Sequence, residues 1–170
     1  MHRMLIAVMA SMALASASVF AHGDKHAAEG KKEPKALSTE EKDFGREGDP
    51  RKATRTVRVD MSDKMRFNPA SLTVKQGDTV KFVVKNSGKV MHEMVLGSMK
   101  ELKEHSDMMK KHPAMEHEEP YMAHVPPGRT ETIVWQFTKA GDFNFGCLVP
   151  GHFEAGMVGK IRVLAKGETK

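Results

Sequence analysis

Near its C-terminus the chain reads Cys147-Leu-Val-Pro-Gly-His152-Phe-Glu-Ala-Gly-Met157, which sets its one cysteine, a histidine and a methionine at five-residue intervals. A thiolate, an imidazole and a thioether together suit copper, whereas a structural zinc site draws further Cys or His ligands rather than Met. A fourth donor must come from elsewhere. His92, in Val90-Met-His-Glu-Met-Val-Leu96, is the best candidate: it opens a strand-like run and completes a two-His, one-Cys set with a weak axial Met. A lone cysteine is more often a small buried hydrophobe. The His and Met spaced around Cys147 favour the metal.

Donors so far apart in the chain need a rigid frame, and the sequence from about residue 52 to 170 is patterned to build one. Thr54 to Met61 alternates through Val57 and Val59, Leu72-Thr-Val74 precedes the turn Lys75-Gln-Gly-Asp78, and Thr79 to Val84 alternates through Val80, Phe82 and Val84. Asn86-Ser-Gly88 marks the next turn. Glu131 to Phe137, the turn Lys139-Ala-Gly-Asp142, the run Phe143 to Gly146 and a closing strand Gly159 to Leu164 follow. Short strands punctuated by Gly, Asn and Asp predict an all-β fold, an antiparallel sandwich or barrel of Greek-key type. About 120 residues suit one domain with one core. Pro150-Gly151 and Gly156 let the donor loop turn tightly, and Phe143, Phe145 and Phe153 are candidates for an apolar collar around it.

One stretch breaks the strand rhythm. From about 98 to 125 the residues are polar, helix-permissive and crowded with Met and His, which predicts a short helical insertion ending by Pro113. Met99, Leu102, Ser106 and Met109 would form its packing face. His105, Met108, Met109 and His112 share helical spacing, and Met115, His117, Met122 and His124 follow; with Met94 they are candidate secondary copper ligands. Thioethers favour Cu(I), and imidazoles accept either oxidation state. Helix-spaced methionines also serve as core.

The N-terminus, with Arg3 before an apolar stretch ending Val19-Phe20-Ala21, reads as a secretory signal peptide over 1–21. The stretch is too short and Ser-interrupted for a comfortable membrane span. An exported chain with one cysteine can form no internal disulfide. Residues 22–51, rich in Lys, Glu, Gly and Ala, read as a flexible leader; cleavage after Ala21 would expose His22, with His26 nearby, as a further Cu(II) chelator. The formal net charge of +5 is spread among Lys and Glu without an Arg-rich or aromatic-interleaved stripe, so nucleic-acid binding is not expected.

The run Gly141-Asp-Phe-Asn-Phe-Gly-Cys147, the loop to His152 and Met157, Gly159-Lys-Ile-Arg-Val163, the Asn68 to Phe82 stretch and the strand entering His92 together resemble a cupredoxin over about residues 54 to 165. The resemblance implies a β-sandwich with a type 1 copper between loops at one end, held by His92, Cys147, His152 and Met157. The Cys-to-His interval is longer than in plastocyanin-like members. Glu93 stands where many members carry an Asn that ties the two ligand loops together. With the signal peptide and the Met/His insertion, the chain is similar to the small periplasmic cupredoxins of bacterial copper tolerance. It is expected to bind copper ions, with Cu(I) capture or weak oxidation by the insertion, and to meet a redox or copper-handling partner protein. The alternative is a dedicated one-electron carrier; a classical enzyme is not expected.

Overall fold

Alternating apolar and polar side chains give most of the strands one inward face. A computed structural model describes residues 36–169 apart from positions 114 and 116; the signal segment, His22 and His26 lie outside the described residues. Strands β1 (Glu41–Lys42), β2 (Gly45–Glu47), β3 (Arg55–Ser62), β4 (Arg66–Asn68), β5 (Ser71–Lys75), β6 (Thr79–Asn86) and β7 (His92–Gly97) precede helix α1 (Met99–Lys111). Strands β8 (Met122–Val125), β9 (Thr130–Gln136), β10 (Gly141–Gly146) and β11 (Val158–Leu164) complete the chain. They form two sheets, a six-stranded one ordered β1-β2-β9-β6-β3-β4 and a five-stranded one ordered β5-β11-β10-β7-β8. Between them lie Val57, Val59 and Met61 of β3, Val80, Phe82 and Val84 of β6, Ile133 and Trp135 of β9, and Phe145 and Ile161 from the facing sheet, all buried. The all-β sandwich expected from the pattern is the fold.

Two pairings depart from a purely antiparallel arrangement: β3 with β6 and β5 with β11 run parallel. The cause is the crossing between sheets. After β4 the chain contributes β5 to the second sheet, turns at Lys75–Asp78, and returns to lay β6 beside β3 in the same direction.

Part of the segment expected as leader, up to Arg51, is built into strands. Glu41–Lys42 and Gly45–Glu47 join the six-stranded sheet, with Arg46 and Glu47 opposite Gln136 and Trp135 of β9. The reason is Phe44, the one aromatic residue in a polar stretch. It is buried, stacks on Trp135 at 5.1 Å between ring centroids, and its carbonyl accepts the Trp135 indole N–H at 2.8 Å. This aromatic anchor and the pairing with β9 hold the segment to the sheet edge.

Helix α1 carries a capping box: the Ser98 hydroxyl accepts the Glu101 N–H, and the Glu101 carboxylate accepts the Ser98 N–H. Leu102, Ser106 and Met109 face inward as expected, but Met99 does not; at the first turn it lies 46% exposed. Leu102 packs with Val95, Met122 and Leu148 in a small apolar cluster of its own, outside the main core.

Replacing the Phe44 ring removes its stack and loosens β1 and β2 together. Phe44→Ala is expected to cost about 3 kcal/mol of folding stability, measurable as a lowered midpoint in chemical denaturation, with the midpoint unchanged if the segment contributes nothing.

Candidate metal centre

His92 and Cys147 lie 55 residues apart in sequence and are brought together by the pairing of β7 with β10, where Leu96 faces Phe145 and Val95 faces Gly146. His92 begins β7, and Cys147 follows the last residue of β10. The chain then returns to β11 through a tight loop. Its mouth is closed by the Cys147 N–H donating to the Met157 carbonyl at 3.1 Å, and the Met157 N–H donates to the His152 carbonyl at 3.0 Å. Gly151 and Gly156, at φ +87° and +84°, make the left-handed turns that fold the loop back on itself.

The donor atoms converge. Cys147 Sγ lies 3.9 Å from His92 Nδ1 and 3.3 Å from His152 Nδ1, and the three atoms stand within 4.8 Å of one another. A trigonal ion with bonds of about 2.3 Å to sulfur and 2.0 Å to nitrogen would hold those atoms about 3.7 Å apart, between the two separations seen. His92, Cys147 and Met157 are fully buried, and His152 is half-buried at the rim. A soft, water-poor set of thiolate and two imidazoles, with a buried thioether on the same loop, fits copper.

The nitrogen that His92 turns toward Cys147 is set by its other nitrogen. Asp63 accepts from Nε2 at 3.1 Å, which leaves the Nδ1 lone pair facing Cys147. Asp63 is itself held by the Lys89 N–H, and this bond first, then the His92 ring, keeps its carboxyl below the usual carboxylate range. Asn86, fully buried, donates to the carbonyls of Val90 and Val125 and accepts the Gly88 N–H, fixing the segment that leads into His92. Burial, then the nearby His92, lowers the His152 pKa, so this imidazole is neutral at neutral pH and free to bind metal.

Glu93 is only 3% exposed, yet every part of it is engaged. Its N–H donates to Cys147 Sγ at 3.4 Å, one carboxylate oxygen accepts the Leu148 N–H at 2.7 Å, and the other meets His124 Nδ1 at 3.0 Å. It ties the two ligand segments together, the task that an Asn performs in the related pattern. His124 Nε2 donates to the His117 carbonyl at 3.1 Å. With a carbonyl and a carboxylate as partners both ring nitrogens must donate, so His124 is an imidazolium paired with Glu93, whose hydrogen bond raises its pKa.

The remaining candidate ligands are dispersed. Met94 is fully buried in the main core; Met109 and Met122 are buried near α1; Met99, Met108 and Met115 are exposed; His112 caps the helix C-terminus on the surface. His105 and His117 meet, Nε2 to Nε2, at 2.7 Å. Asp63 and Asn86 support the site without being singled out in the sequence as its supports. Glu93 stands out there only as a departure at the position where many cupredoxins carry an Asn.

Burial pushes the Cys147 thiol up to about 12, so metal uptake at neutral pH must release its proton. Copper affinity is therefore expected to rise about tenfold per pH unit between about 7 and 9, readable by competition with a chelator of known affinity; a flat profile would contradict a protonated resting thiol. Glu93→Ala removes the tie between ligand segments and should weaken copper binding about 10- to 100-fold. Glu93→Gln, whose amide oxygen can still accept from Leu148, is expected to recover part of that loss in the same titration.

The family model for copper-binding proteins of the plastocyanin/azurin family matches residues 53–164. The copper-resistant cuproprotein CopI of Rubrivivax gelatinosus is 57% identical over 120 residues, covering 71% of this chain and 73% of that protein. The protein of the same name from Vibrio cholerae is 37% identical over 122 residues, 71% of this chain and 72% of its own. Among solved structures, reduced auracyanin from Roseiflexus castenholzii superposes with a TM-score of 0.55 at 21% identity, covering 65% of this chain and 98% of its own. Auracyanin A from Chloroflexus aurantiacus gives 0.55 at 23%, over 64% and 97%. These neighbours share the fold, and the family model spans both ligand segments; the chain belongs to the plastocyanin/azurin family of copper-binding proteins.

Proposed function

We propose that this protein is a periplasmic cupredoxin of copper tolerance, with a type 1 copper held by His92, Cys147 and His152 and an axial Met157. The convergence of two imidazole nitrogens and the cysteine sulfur carries this reading. The likeness to proteins named as copper-resistant cuproproteins supports the role. Export would follow from the signal segment 1–21. Strands begin at Glu41, so the leader of the exported chain would end before that residue. No described helix is long and apolar enough to cross a membrane.

Bound copper supplies a one-electron couple. The protein's own contribution is a site shaped for both oxidation states: Asp63 fixes the His92 ring, the Glu93 N–H partly neutralises the thiolate, and the buried Met157 and Phe145 keep water away. His152 is the partly exposed ligand and offers an edge through which a redox or copper-handling partner would exchange an electron. The same edge supports the reading as a one-electron carrier. The Met/His insertion, packed directly on the ligand loop, favours copper tolerance, with Cu(I) capture or oxidation as its part.

Cys147→Ala is expected to abolish the visible thiolate-to-copper charge-transfer band and to impair growth in copper. Unchanged copper tolerance in a strain carrying this variant would sink the role assigned to the site.

A further inference from the structure

His105 of α1 and His117 of the loop beyond it bring their Nε2 atoms to 2.7 Å, with rings tilted by 44° and centroids 4.7 Å apart. A contact so short needs one proton between two nitrogens that otherwise repel as lone pairs. The second nitrogen of His117, Nδ1, is buried and has no hydrogen-bond partner among the described residues. His117 thus spends one nitrogen on another imidazole and the other on no described partner, although a buried polar atom left unpaired costs about 1–3 kcal/mol. Such a pair is better explained by a ligand than by folding alone.

A third feature names the ligand. Met108 lies one helical turn from His105, and the two line, with His117, an open groove of about 410 Å³ beside Tyr121 and Val95. Two imidazoles and a thioether are donors for a soft monovalent ion. Two nitrogens bound at about 2.0–2.1 Å to one tetrahedral ion stand about 3.3 Å apart, so replacing the shared proton by the ion asks the rings to part by about 0.6 Å. Burial, then the closeness of His117, lowers the His105 pKa. His124, its ring 6.3 Å from that of His117, has both nitrogens committed to Glu93 and to the His117 carbonyl. It is a positioning residue that holds the His117 backbone against the type 1 ligand segments.

We infer that His105, His117 and Met108 form a second copper site, selective for Cu(I), in the groove between α1, β7 and the loop after the helix, separate from the His92–Cys147–His152 centre. The assignment deepens the copper-tolerance reading and rests on it for the identity of the ion.

The test is a count of tightly held Cu(I) in the full chain, made anaerobically against a chromophoric Cu(I) chelator. The expected result is one equivalent fewer in a His105→Ala, His117→Ala double variant than in the unmodified protein, with the visible band of the Cu(II)-loaded type 1 centre and the far-ultraviolet dichroism equal in both. Equal Cu(I) counts would overturn the second site. Met108→Leu, at an exposed position, leaves the fold intact and should weaken the extra Cu(I) at least tenfold; an unchanged affinity would overturn the assignment even if the double variant failed to fold. A missing visible band in the unmodified protein would instead count against the type 1 reading, which the Cu(I) count does not address.

Discussion

The Glu93 carboxylate is the interaction on which the arrangement of the site depends. A carboxylate buried to this degree is strongly unfavourable unless its charge and lone pairs are matched. Here the match comes from two directions: the backbone of Leu148, next to the cysteine, and the imidazolium of His124 at the end of the insertion. Three segments distant in sequence must therefore assemble around one side chain. Its own N–H, directed at Cys147 Sγ, makes the same residue part of the electrostatics of the thiolate.

Around that tie the two sheets act as a rack. Pairing of β7 with β10 fixes the approach of His92 to Cys147, and the closed mouth of the Cys147–Met157 loop returns the second imidazole and the thioether to the same end of the sandwich. Asp63 chooses the nitrogen that His92 presents, and Asn86 anchors the segment before it. These partners hold the donor atoms in an arrangement that fits copper.

The insertion is fastened to this rack. Leu102 packs in one cluster with Leu148 and touches the region of Phe153, while Ser106 and Lys110 both reach Glu154 of the ligand loop, at 3.2 and 2.9 Å. The Lys110 contact holds the Glu154 carboxyl below its ordinary range. The surface ion pair is worth little in stability, but the apolar cluster beneath it gives the helix a defined seat. A Met/His-rich segment is thereby held beside the Cys147–Met157 loop.

Much of this was legible before any fold was considered. The softness of Cys147, His152 and Met157, their even spacing, and the period-two strands that must carry His92 are local properties, and local properties survive in the sequence. The helix of the insertion and its buried Leu102, Ser106 and Met109 were readable for the same reason. Phe44 was not, because one aromatic in a polar stretch has no period, and its worth depends on Trp135 lying across the sheet edge. Nor could spacing show that β3 and β6 run parallel, that Glu93 would reach both Leu148 and His124, or which of ten Met and His candidates would meet. Those outcomes are set by pairings across many residues, where the partner of a side chain follows from how the sheets cross and what must be neutralised once buried. Donor chemistry is written in residue types; convergence of the donors is a product of packing.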